Sequence, residues 1–203
     1  GREGQGGRGG EPGGGRSDGK QALTKAETYE DEVRIVVSET LFALNRHSGE
    51  RDWLYQPRGA IINPTITVGG NRVFLIESGD PTTLQSPTGR LRLEQLLGTG
   101  AFLVALDLRT GQEGWRRPID LKKIRHHIYL AYAKDTLIAV GTRNAKSGAK
   151  QTVWYDLHGL DANSGALLWS ATQDQHQGSG GSHGEQDHHP AIVGDVIYQE
   201  PYA

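Results

Sequence analysis

Three segments of this chain can be laid on one another, and that repeat constrains the fold more than any other feature. They are Ala43-Leu44-Asn45-Arg46-His47-Ser48-Gly49-Glu50-Arg51-Asp52-Trp53, Ala105-Leu106-Asp107-Leu108-Arg109-Thr110-Gly111-Gln112-Glu113-Gly114-Trp115 and Gly159-Leu160-Asp161-Ala162-Asn163-Ser164-Gly165-Ala166-Leu167-Leu168-Trp169. Each reads small residue, Leu, Asp or Asn, two variable positions, Ser or Thr, Gly, three variable positions, Trp. Asp or Asn at a strand end accepts hydrogen bonds from backbone N–H groups two and three residues ahead. Glycine supplies the positive φ of a tight hairpin or a G1 bulge. The spacing then puts tryptophan on the returning strand, where an indole repeated at one point of every unit can cover the neighbouring unit's hairpin. Asn45, Asp107 and Asp161, Gly49, Gly111 and Gly165, and Trp53, Trp115 and Trp169 are therefore read as structural docking positions.

A second signal alternates with the first. Val68-Gly69-Gly70-Asn71-Arg72-Val73-Phe74, Tyr132-Ala133-Lys134-Asp135-Thr136-Leu137-Ile138 and Val193-Gly194-Asp195-Val196-Ile197-Tyr198 each place a short polar turn between β-rich runs. Two hairpin types in alternation give four strands per repeat. Sixty-two residues separate Gly49 from Gly111 and 54 separate Gly111 from Gly165. A bare four-stranded blade takes about 40–50 residues, so inserted loops are expected at 82–100, 146–150 and 174–186. The run Leu91–Leu97 suits a short helix. No sustained 3.6-residue period exists elsewhere, and evenly spaced strands with a periodic aromatic favour a propeller over a sandwich or barrel.

Composition removes several classes of function. Net charge is −2, with both signs interspersed, which gives no electrostatic footprint for nucleic acid. There is no cysteine, so neither a disulfide framework nor a thiolate metal site can form within these residues. No apolar run approaches the length of a membrane-spanning helix. The first 19 residues hold 10 glycines and no aliphatic or aromatic side chain. That composition predicts a Gly-rich disordered linker over 1–28, because too little apolar surface is on offer to offset ordering entropy.

Over Glu32 to Tyr202 the pattern resembles the PQQ-like repeat family, also called the quinoprotein alcohol dehydrogenase-like propeller superfamily. The residues that carry it are Leu41 to Asn45 with Ser48-Gly49 and Trp53, Leu103 to Asp107 with Thr110-Gly111 and Trp115, and Leu160-Asp161 with Ser164-Gly165 and Trp169. The resemblance implies an all-β propeller of four-stranded antiparallel blades, WD-like in architecture. Its expected divisions are a partial blade at 29–58, blades at 59–119 and 120–172, and the start of another at 188–203. About three blades do not close a ring, so this is expected to be a fragment of a longer propeller. The family implies a binding or scaffold domain of an exported bacterial protein, periplasmic or otherwise in the cell envelope, with a protein partner or small ligand at the propeller face. The alternative it implies is part of a quinone- or metal-dependent oxidoreductase. Relatives of that kind hold PQQ over a tryptophan floor, with an adjacent-cysteine disulfide and a calcium ion. The residues here demonstrate no such cofactor, and the resemblance allows PQQ or a metal ion in the full-length protein.

No nucleophile triad, phosphate loop or nucleotide fingerprint is present, and no catalytic residue is assigned. The richest chemistry lies in 176–190, where four of the eight histidines fall within 14 residues among glycines and carboxylates. Imidazole with carboxylate suits several transition metals, which makes His183, Asp187, His188 and His189 candidate ligands. The competing reading is a polar rim loop leading into the strand at Ala191. Asn63, His126 and His127 occupy matching places in successive repeats, just after the expected long loop. If that strand lines a central channel, they line it too.

Overall fold

The computed structural model describes residues 34–147, 150–178 and 190–199. Among them the fold is all-β and antiparallel, apart from one short helix and two 3-10 turns. The expected linker at 1–28 lies outside the described residues.

Five strands form the middle of the first unit. Ile61–Ile62 (β4) and Thr67–Gly69 (β5), separated by a 3-10 turn at Asn63–Thr65, both pair with Arg72–Ser78 (β6). Strand β6 pairs in turn with Ala101–Asp107 (β8), and β8 with Glu113–Ile119 (β9). The sequence of β6 is nearly continuous in apolar residues because both its faces are covered. Phe74 and Ile76 point with Leu103 and Ala105 into a large core shared with the next unit. Val73 and Leu75 point with Val104 and Leu106 to the opposite side, against Trp53, Tyr55 and Ile61. Each fully enclosed aliphatic or aromatic side chain contributes about 1.5–3 kcal/mol through burial.

The second unit is a four-stranded meander of Ile128–Ala133 (β10), Thr136–Ser147 (β11), Lys150–Asp161 (β12) and Leu167–Gly178 (β13), paired in chain order. Its Leu130, Leu137, Ala139 and Leu160 complete the shared core, while Ile138, Val140, Tyr155 and Leu157 face the hairpin of Ala191–Val193 (β14) and Val196–Tyr198 (β15).

Three details depart from the sequence reading. The extra length expected as loops at 146–150 and 174–186 goes partly into strand, since β11 and β12 run on to Ser147 and from Lys150, and β13 continues to Gly178. Within 82–100 the helix is confined to Leu93–Leu97 (α1), because Arg90–Leu91 (β7) is drawn into strand pairing by Ile35–Ser38 (β1). Strand β1 also pairs with β4 and buries Ile35 and Val37 in the main core, so it belongs to the first unit's sheet. Leu41–Leu44 (β2) and Arg51–Tyr55 (β3) form a separate hairpin beside it.

Candidate functional site

Two of the three docking tryptophans, Trp53 and Trp115, meet the docking glycine of the following hairpin, Gly111 and Gly165. In each of the three hairpins the Asx side chain accepts from two backbone N–H groups: Asn45 from His47 and Ser48, Asp107 from Arg109 and Thr110, Asp161 from Asn163 and Ser164. The carboxyls of Asp107 and Asp161 are held below the usual range, first by the hydroxyl and then by the amide of Thr110 or Ser164. Gly49, Gly111 and Gly165 all have φ near +70°, at 74°, 68° and 71°. A register shift precedes every Asx residue, as a bulge should.

The tryptophans then bridge units. The indole of Trp53 lies on Gly111 and donates its N–H to the Leu108 carbonyl at 3.0 Å. Trp115 likewise meets Gly165, but with the outer edge of its six-membered ring and beside the Arg117 side chain. Its N–H has no acceptor among the described residues, and the carbonyl matching that of Leu108, on Ala162, accepts from Arg72. Trp169 packs on Gly159 of its own sheet and is 39% exposed, against 9% for Trp53. At the alternate hairpins Tyr132 plays a comparable part, its ring against Gly69 and Gly70 and stacked on Phe74 at 5.9 Å.

A polar network fastens β3 to the first unit. Glu77 is fully buried; it accepts from the Tyr55 hydroxyl at 2.9 Å and is ion-paired with Arg116. Arg116 also reaches Tyr55 at 2.9 Å and Glu113 at 2.9 Å, and its guanidinium covers the Phe102 ring. Burial, then the Glu77 carboxylate, pushes the Tyr55 hydroxyl well above its ordinary value. Burial alone would lower the Arg116 pKa, but hydrogen bonds to Glu113 and Glu77 outweigh it and raise the value.

The most concentrated recognition chemistry was not singled out from the sequence. A pocket of about 280 Å³ opens on the second unit, beneath the segment 120–124 that joins the two units, and is lined by Lys123, Arg143, Asp156, His158 and Thr172. Strand alternation places Trp154, Asp156 and His158 on one face of β12, with Arg143 opposite Trp154 across the ladder. Asp156 is 8% exposed. Its two oxygens accept from Arg143 Nε at 2.6 Å, Arg143 Nη2 at 3.4 Å and the Thr172 hydroxyl at 2.7 Å. Burial opposes ionisation of Asp156, but the bonds from Arg143 and Thr172 win and lower its pKa. The Arg143 guanidinium sits 4.8 Å over the Trp154 ring. His158 Nδ1 is 2.9 Å from the Ser170 hydroxyl, and burial lowers its pKa despite the pull of Asp156 and Asp120. The signal available beforehand was the Trp-x-Asp-x-His alternation at 154–158.

Asn63 begins the 3-10 turn after β4, with Oδ1 enclosed and without a donor among the described residues. His126 and His127 precede β10 rather than lying in it; His126 is buried, and the His127 ring stacks on Tyr129 at 6.5 Å. His183, Asp187, His188 and His189 lie outside the described residues. Among the described residues no three His, Asp or Glu side chains gather as a metal would require. Nor is any described helix long and apolar enough to cross a membrane.

No family model and no curated protein matches the chain. Among solved structures it is similar to BamB from Moraxella catarrhalis, at 16% identity and a TM-score of 0.29, over 68% of this chain and 44% of that one. The chain thus spans less than half the length of that protein.

Proposed function

We propose that these residues are part of a β-propeller of PQQ-like repeats serving as a binding or scaffold domain. The observation that carries this reading is the recurrence of one joint, Trp53 on Gly111 and Trp115 on Gly165, between successive antiparallel units. A joint that repeats with the same geometry at each step generates a ring when the rotation closes, and rings of this kind need about four to eight units. Further repeats of the full-length polypeptide would complete it. A protein partner or small ligand at the propeller face, and a place in the bacterial cell envelope, follow from the same family resemblance.

The places of the tryptophans among the described residues favour this reading over a quinone site. Trp53 and Trp115 are committed to joints, Trp169 to Gly159, and Trp154 lies beneath Arg143. The chain also has no cysteine for an adjacent-cysteine disulfide.

Two measurements on the full-length protein test the proposal. Electron-microscopic class averages should show a closed ring of radial units, and an open solenoid or a sandwich would reject the architecture. After incubation with PQQ and calcium, the protein should retain no quinone absorbance and reduce no dye. Quinone-dependent turnover would reject the scaffold reading.

A further inference from the structure

The pocket beside segment 120–124 contains an arginine prepared for a ligand. Arg143 is held in two directions at once, edge-on by Asp156 and face-on by Trp154. Thr172 takes part of the remaining capacity of Asp156, which fixes the carboxylate in turn. A guanidinium has five N–H donors in a rigid fork, and the bonds to Asp156 use two of them. The others meet no protein acceptor among the described residues, although the side chain is 29% exposed at the pocket wall. Orienting a flexible cation beforehand removes the ordering cost that usually weakens a surface ion pair.

The other groups around the opening set the ligand's charge and size. Lys123 is exposed there and has no acidic partner among the described residues. Of the two acids, Asp156 is committed to Arg143, while Asp120 is exposed at the rim and gives one oxygen to the backbone N–H of Lys122 at 3.2 Å, so Lys123 and the free donors of Arg143 supply the attraction for an anion. His158 supplies a ring able to donate or accept. At about 280 Å³ the space lies just below the ~300–1,000 Å³ of ordinary small-molecule sites, which favours a compact ligand. A flat carboxylate matches the guanidinium edge in two parallel hydrogen bonds, a fit that a point-charge cation cannot reproduce.

The geometry points to this pocket as a binding site for a small organic carboxylate, with Arg143 as the bidentate anchor, Lys123 as the second cation, and Asp156 and Trp154 as the groups that position Arg143. This assignment does not depend on ring closure or on the scaffold reading.

Calorimetric titration of the full-length protein with acetate and with succinate, at fixed ionic strength and neutral pH, tests it. Succinate should bind saturably at one site and more tightly than acetate. Arg143→Lys keeps the charge but loses fork and stacking, and should weaken succinate binding about tenfold or more. Lys123→Gln, on an exposed side chain, should weaken it several-fold while leaving the melting temperature unchanged. Should Arg143→Lys fail to fold, Lys123→Gln carries the test alone. Lys134→Gln, whose lysine pairs with Asp195 elsewhere, should bind as the parent does. The assignment is overturned if neither acid binds, if both Arg143→Lys and Lys123→Gln bind succinate unchanged, or if inorganic phosphate binds more tightly than succinate.

Discussion

Trp53 lies flat on Gly111, 58 residues further along the chain, and its indole N–H reaches the carbonyl of Leu108 at 3.0 Å. One side chain thereby closes two repeats on each other by apolar contact and by a hydrogen bond. Truncating it should open a cavity between β3 and the second hairpin while the hairpins themselves survive. Trp53→Ala should lower stability by about 3–5 kcal/mol, measured by denaturant unfolding of the full-length protein. Trp53→Phe should recover part of the loss.

At Gly111 an added methyl meets the Trp53 ring at 2.5 Å, whereas at Gly49, with nearly the same positive φ, it meets nothing within 4 Å. Both substitutions carry the left-handed backbone cost of about 1–2 kcal/mol. Gly111→Ala should therefore destabilise clearly more than Gly49→Ala, and the excess measures the joint. Equal effects in thermal melts would mean that the two glycines matter only for their φ.

A third prediction concerns Glu77, Arg116 and Tyr55. Removing one partner of a buried pair strands the other, at about 3–5 kcal/mol. Arg116→Met alone and Glu77→Leu alone should each be severe. The double variant should cost less than the sum of the two, since neither charge is then left unpaired, and a double-mutant cycle reads the coupling directly.

The hairpins and joints were legible because they rest on local rules. An Asx residue, a Ser or Thr and a glycine at fixed offsets determine a turn whatever surrounds it, and β-rich runs on either side fix the strands. The fate of β1 was not legible. Ile35 and Val37 alternate like any half-buried strand, and only tertiary pairing with β4 and β7 decides which sheet receives them. The long strands β11 to β13 were hidden for a related reason. Lys146, Lys150 and Gln177 look like loop residues, yet ladder pairing carries the strands through them. The pocket was hidden because its parts are separated in sequence. Arg143 meets Asp156 only through the β11–β12 register, and no motif announces a pair set 13 residues apart by a hairpin.

The last prediction follows from the protonation of that pocket. Burial lowers the His158 pKa below 6.5, so the unfolded chain takes up this proton at a higher pH than the folded protein does. Where the unfolded state binds more protons, stability rises with pH. His158 should therefore cost nothing above about pH 6.5, where both states are neutral, and should destabilise increasingly as pH falls from there towards its folded value. Asp156 acts in a lower window, because its pKa is depressed below 3.8 and its contribution disappears only as pH falls through that depressed value. Comparing the parent with His158→Gln by denaturant unfolding separates the two. The stability difference should be flat above about pH 6.5 and should shift in favour of the variant on acidification towards about pH 5. A difference that stays constant over that whole range would show that His158 titrates as it does in the unfolded chain, and that burial beside Ser170 does not hold it neutral.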